Sequence, residues 1–198
     1  MTESETAGGR LIVITGPSGV GKDTVLHELF SMDPTLAYSV SYTTRPPRPG
    51  EKNGVDYWFV DEPEFRAMID RDEFFEWSTV YGELKGRSYH SIEQALHSGH
   101  DTLIKIDVQG AEKMRRRLGD RALYVFVLPP DAAVLRERLS ERATETGVQL
   151  RTREETATIE LAVADTYDHQ VVNDDARRAA AEILSLINAD RLQRSRHG

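Results

Sequence analysis

The stretch "TGPSGVGKDTV", Thr15 to Val25, decides how this chain folds. Gly16, Gly21 and Lys22 fall at the spacing G-x-x-x-x-G-K. In such a loop, successive backbone N–H groups and the start of the next helix face phosphate anions, while the lysine reaches the outer phosphate oxygens. The flanks supply the context the motif needs. "RLIVIT" before it is a short apolar, β-rich run, and "DTVLHELFSM" after it carries Val25, Leu26, Leu29 and Phe30 at helical spacing. Nucleotide contacts are therefore expected from Gly16, Pro17, Ser18, Gly19, Val20, Gly21, Lys22, Asp23 and Thr24. One position breaks the motif. The residue after the lysine is normally Ser or Thr, whose hydroxyl meets Mg²⁺, and here it is Asp23.

Further along, "DTLIKIDV", "ALYVFVL" and "HQVVN" read as strands, with "SIEQALHSG" and "AAVLRERLSERA" as helices between them. Strands alternating with helices imply a parallel sheet covered on both faces. The region 38–92 differs in texture, being rich in turns ("RPPRPGEKNG") and aromatics ("DYWFV", "FFEW"), and reads as an inserted mixed α/β lobe. The core then comprises 10–37 and 93–189. Within it, about 140–155 is charged and weakly apolar, the composition of a lid. Residues 1–9 read as disordered and 190–198 as a flexible tail.

The 198 residues suffice for one domain with a substantial core and a smaller inserted lobe. A net charge of -8 argues against general binding to nucleic acid or anionic membranes. There is no cysteine, hence no disulfide or thiolate chemistry, as suits a cytoplasmic enzyme. No apolar run approaches membrane-spanning length, and "MTESETAGGR" lacks the regions of a signal peptide.

From about Arg10 to Asn188 the chain resembles the guanylate kinases. The strongest match is "SVSYTTRPPRPGEKNGVDYWFV", supported in order by "FFEW", "IDVQG", "ERATET" and "VVNDD". The resemblance implies a P-loop kinase of the α/β class: a parallel sheet flanked by helices, an inserted nucleotide-monophosphate lobe and a helical lid. It also implies phosphoryl transfer from Mg·ATP to GMP or dGMP, by a monomer or homodimer. Arg45 and Arg48 match arginines on the acceptor phosphate, and guanidinium forks suit that dianion. Tyr57 matches a phenol on the same phosphate. Glu76 matches the carboxylate that reads guanine, whose N1–H and N2 amine lie side by side; adenine has no proton at N1. Ser41 and Asp107 match further polar contacts to the acceptor. Arg138, Arg142 and Arg153 match lid arginines that close over the transferring phosphoryl beside Lys22. Asn173 matches an asparagine near the donor adenine.

Four positions depart from the family pattern. Asp23 replaces the loop hydroxyl, Lys85 a tyrosine that contacts the acceptor phosphate, Arg87 a small hydroxyl residue at the base, and Lys105 the first aspartate of a D-x-D pair near the metal. Lys85 and Lys105 are two of only five lysines in the chain. Asp23 is a candidate Mg²⁺ ligand, as a hard oxygen donor, and Lys105 can offset its repulsion of the phosphates. Arg45, Arg48, Lys85, Arg87 and Lys105 together suggest an acceptor site more cationic than GMP requires. Two alternatives follow. One is a related kinase for another phosphate acceptor, either a guanine-nucleotide analogue or a ribose phosphate, since "GKDT" also resembles the loop of the ribose 1,5-bisphosphate phosphokinases. The other is a catalytically silent binding module of the same fold.

Overall fold

The computed structural model describes residues 9–80, 82–141 and 147–197. Among them the chain runs β1 (Leu11–Thr15), α1 (Lys22–Met32), β2 (Ala37–Tyr38), β3 (Tyr42–Thr43), β4 (Trp58–Phe59), α2 (Glu62–Asp70), β5 (Phe74–Val80), β6 (Glu83–Ser88), α3 (Tyr89–His97), β7 (Thr102–Lys105), α4 (Val108–Leu118), β8 (Ala122–Leu128), α5 (Ala132–Glu141), α6 (Gly147–Leu161), β9 (His169–Val172) and α7 (Ala176–His197).

Every residue of β1 is buried, because the strand lies at the centre of a sheet covered on both faces. The order is β2-β7-β1-β8-β9, and all four pairings are parallel. Alternation along β1 divides the core. Ile12 and Ile14 pack with Val25 and Leu29 of α1 and Ile183 of α7. Leu11 and Val13 face the opposite way, onto Ile92 of α3 and Met114 of α4. Each such side chain contributes roughly 1.5–3 kcal/mol by leaving water. The doubly covered parallel sheet expected from the alternating strands and helices is therefore present, and it presents the C-terminal end of β1 to the phosphate loop.

A second, mixed sheet of order β4-β3-β6-β5 lies within Tyr42–Ser88, inside the expected 38–92 lobe. Its own core is built on Phe65 of α2 and Phe74 of β5, whose rings stack at 4.4 Å. Tyr38 stands in the main sheet beside β7, and α3 packs on the core. Of the segment 140–155 expected as a lid, the described residues 140–141 and 147–155 are helical, and α6 continues to Leu161. Arg142 lies outside the described residues, as do Met1–Gly8 of the expected disordered start.

The tail reading needs correction. α7 continues as helix to His197, and its polar end is tied down by ion pairs that a local reading cannot see. Arg191 meets Asp33 at 2.8 Å and Asp101 at 2.6 Å, and Arg194 meets Asp101 at 2.9 Å. Asp101 also accepts the Arg10 backbone N–H at 2.9 Å, so one buried carboxylate fastens both ends of the described chain. Among the described residues no helix is long and apolar enough to cross a membrane.

Candidate active site

The phosphate loop is shaped by what its glycines leave out. Gly21 has φ +96°, and a Cβ there would stand 2.5 Å from Asn173 Nδ2. Lys22 opens α1 and folds back over the loop, donating from Nζ to the carbonyls of Gly16 at 2.5 Å and Pro17 at 3.0 Å. Burial lowers its pKa to about 8, against the opposing pull of the Glu160 and Asp23 carboxylates. The Val20 carbonyl receives two braces from outside, Asn173 Nδ2 at 2.7 Å and Arg138 Nη1 at 3.2 Å.

The loop forms one end of a cavity of about 730 Å³. Gly16, Ser18, Gly19, Gly21, Lys22 and Asp23 line that end. Ser41, Arg45, Arg48, Tyr57, Glu76, Lys85 and Asp107 line the remainder, with Arg153 contributed by α6. Sequence positions far apart thus line one cavity, from the phosphate loop after β1 to Glu76 and Lys85 of the second sheet.

Glu76, on β5, is 5% exposed, and its pKa is pushed up to about 7. Burial is the main cause; the Arg87 guanidinium opposes it and the Asp107 carboxylate adds to it. The Glu76 carboxylate lies against Gly110 of α4, where a Cβ would come within 2.9 Å of Oε2. Asp107 caps α4 by accepting the Gly110 N–H at 2.9 Å, and its other oxygen accepts the Ser78 hydroxyl at 2.9 Å. Arg45 reaches the Pro46 carbonyl at 2.7 Å and Glu51 at 2.8 Å, with its guanidinium 5.4 Å from the centre of the Tyr57 ring. The second Glu51 oxygen accepts the Arg48 backbone N–H at 2.7 Å, which fixes the proline-rich turn.

The departures from the family pattern fall in specific places. Lys105 forms an ion pair with Asp23, and its ammonium lies 4.9 Å from the centre of the Tyr57 ring. It therefore joins the loop end of the cavity to the part lined by Tyr57. Lys85 is half-buried in the cavity wall. Arg87 is not in the wall. It is fully buried behind it, donating to the Ser39 carbonyl, to Ser39 Oγ at 2.8 Å, to Ser41 Oγ at 2.7 Å and to the Lys105 carbonyl at 3.2 Å. Guanidinium only donates, so Ser41 Oγ accepts and its own hydrogen is left for the cavity.

Other expected contacts also lie off the wall. Thr24 is exposed, and Pro17 and Val20 meet the site through carbonyls turned to Lys22, Arg138 and Asn173. Arg138 and Asn173 support the loop from behind, because Val20 O offers them the nearest acceptor. Two acidic residues were missed by the sequence reading. Glu51 pairs with Arg45, and Glu160 on α6 is buried against the loop, accepting the Ser18 N–H at 3.3 Å. "GEKNG" offered a signal for Glu51; "TIELAV" offered none for Glu160.

The family model described as Guanylate kinase matches residues 8–190. A guanylate kinase of Rubrobacter xylanophilus is 45% identical, over 90% of this chain and 93% of its own. One from Thermus thermophilus is 42% identical, over 96% and 86%. The crystal structure of guanylate kinase from Anaplasma phagocytophilum superposes with a TM-score of 0.77 at 30% identity, covering 93% of this chain and 87% of that one. The loop, the two-ended cavity and these likenesses together show that the chain belongs to the guanylate kinase family.

Proposed function

We propose that this protein transfers the γ-phosphoryl of Mg·ATP to GMP or dGMP, giving ADP and the corresponding diphosphate. The observation that carries this reading is Glu76, a buried carboxylate in the cavity that the phosphate loop lines with Gly16, Gly21 and Lys22 in place. Ionised, its two oxygens accept N1–H and N2–H of guanine. Adenine offers neither pattern and leaves the carboxylate unpaired, a mismatch that costs factors on the order of 10⁴ in sites built for hydrogen bonding. The Ser41 hydroxyl donates to the acceptor, while Arg45, Arg48 and Tyr57 hold its phosphate.

A phosphate oxygen of the acceptor attacks the γ-phosphorus as the bond to the ADP oxygen breaks. Charge spreads over the transferring group, and the chain supplies cations around it: Lys22 from the loop, Lys105 from the seam and Arg153 from α6. Arg138 contributes by holding the loop carbonyl. Asp23 fits Mg²⁺ as a single hard-oxygen ligand beside Lys22, and an ion arriving with the nucleotide needs few protein ligands. When bound, Mg²⁺ neutralises phosphate charge. Asp107 is better suited to positioning Ser78 and α4 than to the ion, since both its oxygens accept hydrogen bonds. The acidic, cysteine-free chain suits the cytoplasm, working as a monomer or homodimer.

The test is ADP release from Mg·ATP against GMP, dGMP, AMP, IMP and ribose phosphates. Turnover confined to GMP and dGMP is expected; preference for a ribose phosphate would overturn the reading. Lys85 in the wall favours a second reading, in which the acceptor carries additional negative charge. Robust GMP turnover that is unchanged in Lys85→Tyr would remove its support.

A further inference from the structure

Glu160 is the one buried carboxylate on α6 that the proposed reaction leaves unused, and it lines the cavity against the phosphate loop. It is 8% exposed, and it accepts the backbone N–H of Ser18, a residue of the phosphate loop. The Lys22 ammonium is its strongest attractive charge, Lys85 adds a weaker attraction, and the Asp107 carboxylate repels it. An anion that accepts a loop amide and is drawn by the charge of the loop lysine resembles the phosphate such a loop recognises, although Lys22 Nζ itself bonds the Gly16 and Pro17 carbonyls.

We propose that Glu160 is a positioning residue that occupies the donor-phosphate site and sets the affinity for ATP. This rests on the reading of the loop as the donor site of the kinase. With no nucleotide bound, the carboxylate satisfies the Ser18 amide and is the strongest of the carboxylate charges that attract Lys22, ahead of Asp23 and Asp107. An incoming phosphate needs the same lysine and brings like charge next to the carboxylate, so binding requires Glu160 to withdraw. Glu160 belongs to α6, the helix that also carries Arg153, so its carboxylate can withdraw by a change of rotamer on that helix.

The experiment measures dissociation constants by titration calorimetry for full-length wild type, Glu160→Gln and Glu160→Ala. The probes are ATP, inorganic tripolyphosphate, adenosine and GMP. Glu160→Gln keeps an oxygen for the Ser18 amide but removes the charge, so it preserves the fold even if Glu160→Ala does not. The expected result is at least threefold tighter ATP and tripolyphosphate binding in Glu160→Gln, with adenosine and GMP unchanged. A gain of phosphate affinity on losing only a charge is not what a purely structural residue gives. Unchanged or weaker ATP and tripolyphosphate binding in a folded Glu160→Gln overturns the proposal, as does a gain shared equally by adenosine. Failure of the kinase reading would show elsewhere, as wild type that releases no ADP in response to GMP.

Discussion

Replacing Glu76 with glutamine tests the acceptor site through two pH dependences of opposite sign. The folded-state pKa is raised from 4.5 to about 7, chiefly by burial. Between those values the native state holds a proton that the unfolded chain has released, so stability falls as pH rises. A shift of that size corresponds to at most about 3 kcal/mol, and the full cost is present above the folded pKa. Glu76→Gln removes the titration. Its stability relative to wild type should therefore climb through pH 5–7 and level off above that, by several degrees in Tm at pH 8. Activity should run the other way. Only the ionised carboxylate accepts both guanine protons, and its fraction rises from ~0.1 at pH 6 to ~0.9 at pH 8. The ratio of kcat/KM for GMP between wild type and variant should then grow by roughly tenfold over that interval, because titration of the substrate phosphate cancels in the ratio. Thermal unfolding and initial-rate kinetics on the same buffers supply both curves. A ratio that is flat from pH 6 to 8, or a stability difference that does not change across pH 5–7, would refute the assignment of Glu76 as a buried, titrating base reader.

Arg87→Met should destabilise the protein by about 2–4 kcal/mol in urea unfolding, since it strips partners from Ser39 and Ser41 and a countercharge from Glu76. It should also raise KM for GMP without changing ATP binding. At the seam, Asp23 is 63% exposed and Lys105 14%, so the pair itself is worth at most about 1 kcal/mol. Losing either partner is nonetheless unequal: Asp23→Asn leaves a nearly buried ammonium without its carboxylate and should cost more stability than Lys105→Met, and the reverse order by chemical denaturation would contradict this. Replacing Arg191 and Arg194 together by alanine should cost about 2 kcal/mol, because Asp101 is left buried without its cations. A truly flexible tail would show no change in Tm.

The main sheet was legible because its strands are buried on both faces and so read as unbroken apolar runs between helical segments. The phosphate loop was legible because its glycines are demanded by local backbone shape, at spacings fixed within one turn. Arg87 was harder. Its place in the sequence said base edge, but in β6 it is turned behind the wall, toward Ser39 and Ser41 from the start of the lobe and the Lys105 carbonyl of β7. Glu160 was illegible for a related reason. It lies 142 positions from the amide it meets, and on its own helix it looks like one more charged residue. The helical tail was misread because "RLQRSRH" is polar, and its partners Asp33 and Asp101 belong to segments far upstream. Periodicity reports which face is apolar; it does not report which distant carboxylate an arginine will find.

Asp23 and Lys105 show what such long-range pairing does to a motif. Taken singly, each substitution weakens the loop: a carboxylate beside the donor phosphates repels them, and an ammonium beside the expected metal site competes with the ion. The two residues are 82 positions apart, yet their side chains meet. Paired, they add no net charge, and each cancels the other's repulsive effect on the resting site. The contact with the Tyr57 ring gives the exchange a direction, because it holds the ammonium at the boundary between the loop and the acceptor end. On the proposed function, phosphates at both ends would find that ammonium between them, and its turning from Asp23 to a phosphate oxygen would exchange one anion for another. The Asp23 carboxylate would then be the residue to hold a cation that came with the nucleotide. A loop that looks damaged when read along the chain is thus chemically consistent when read across the cavity.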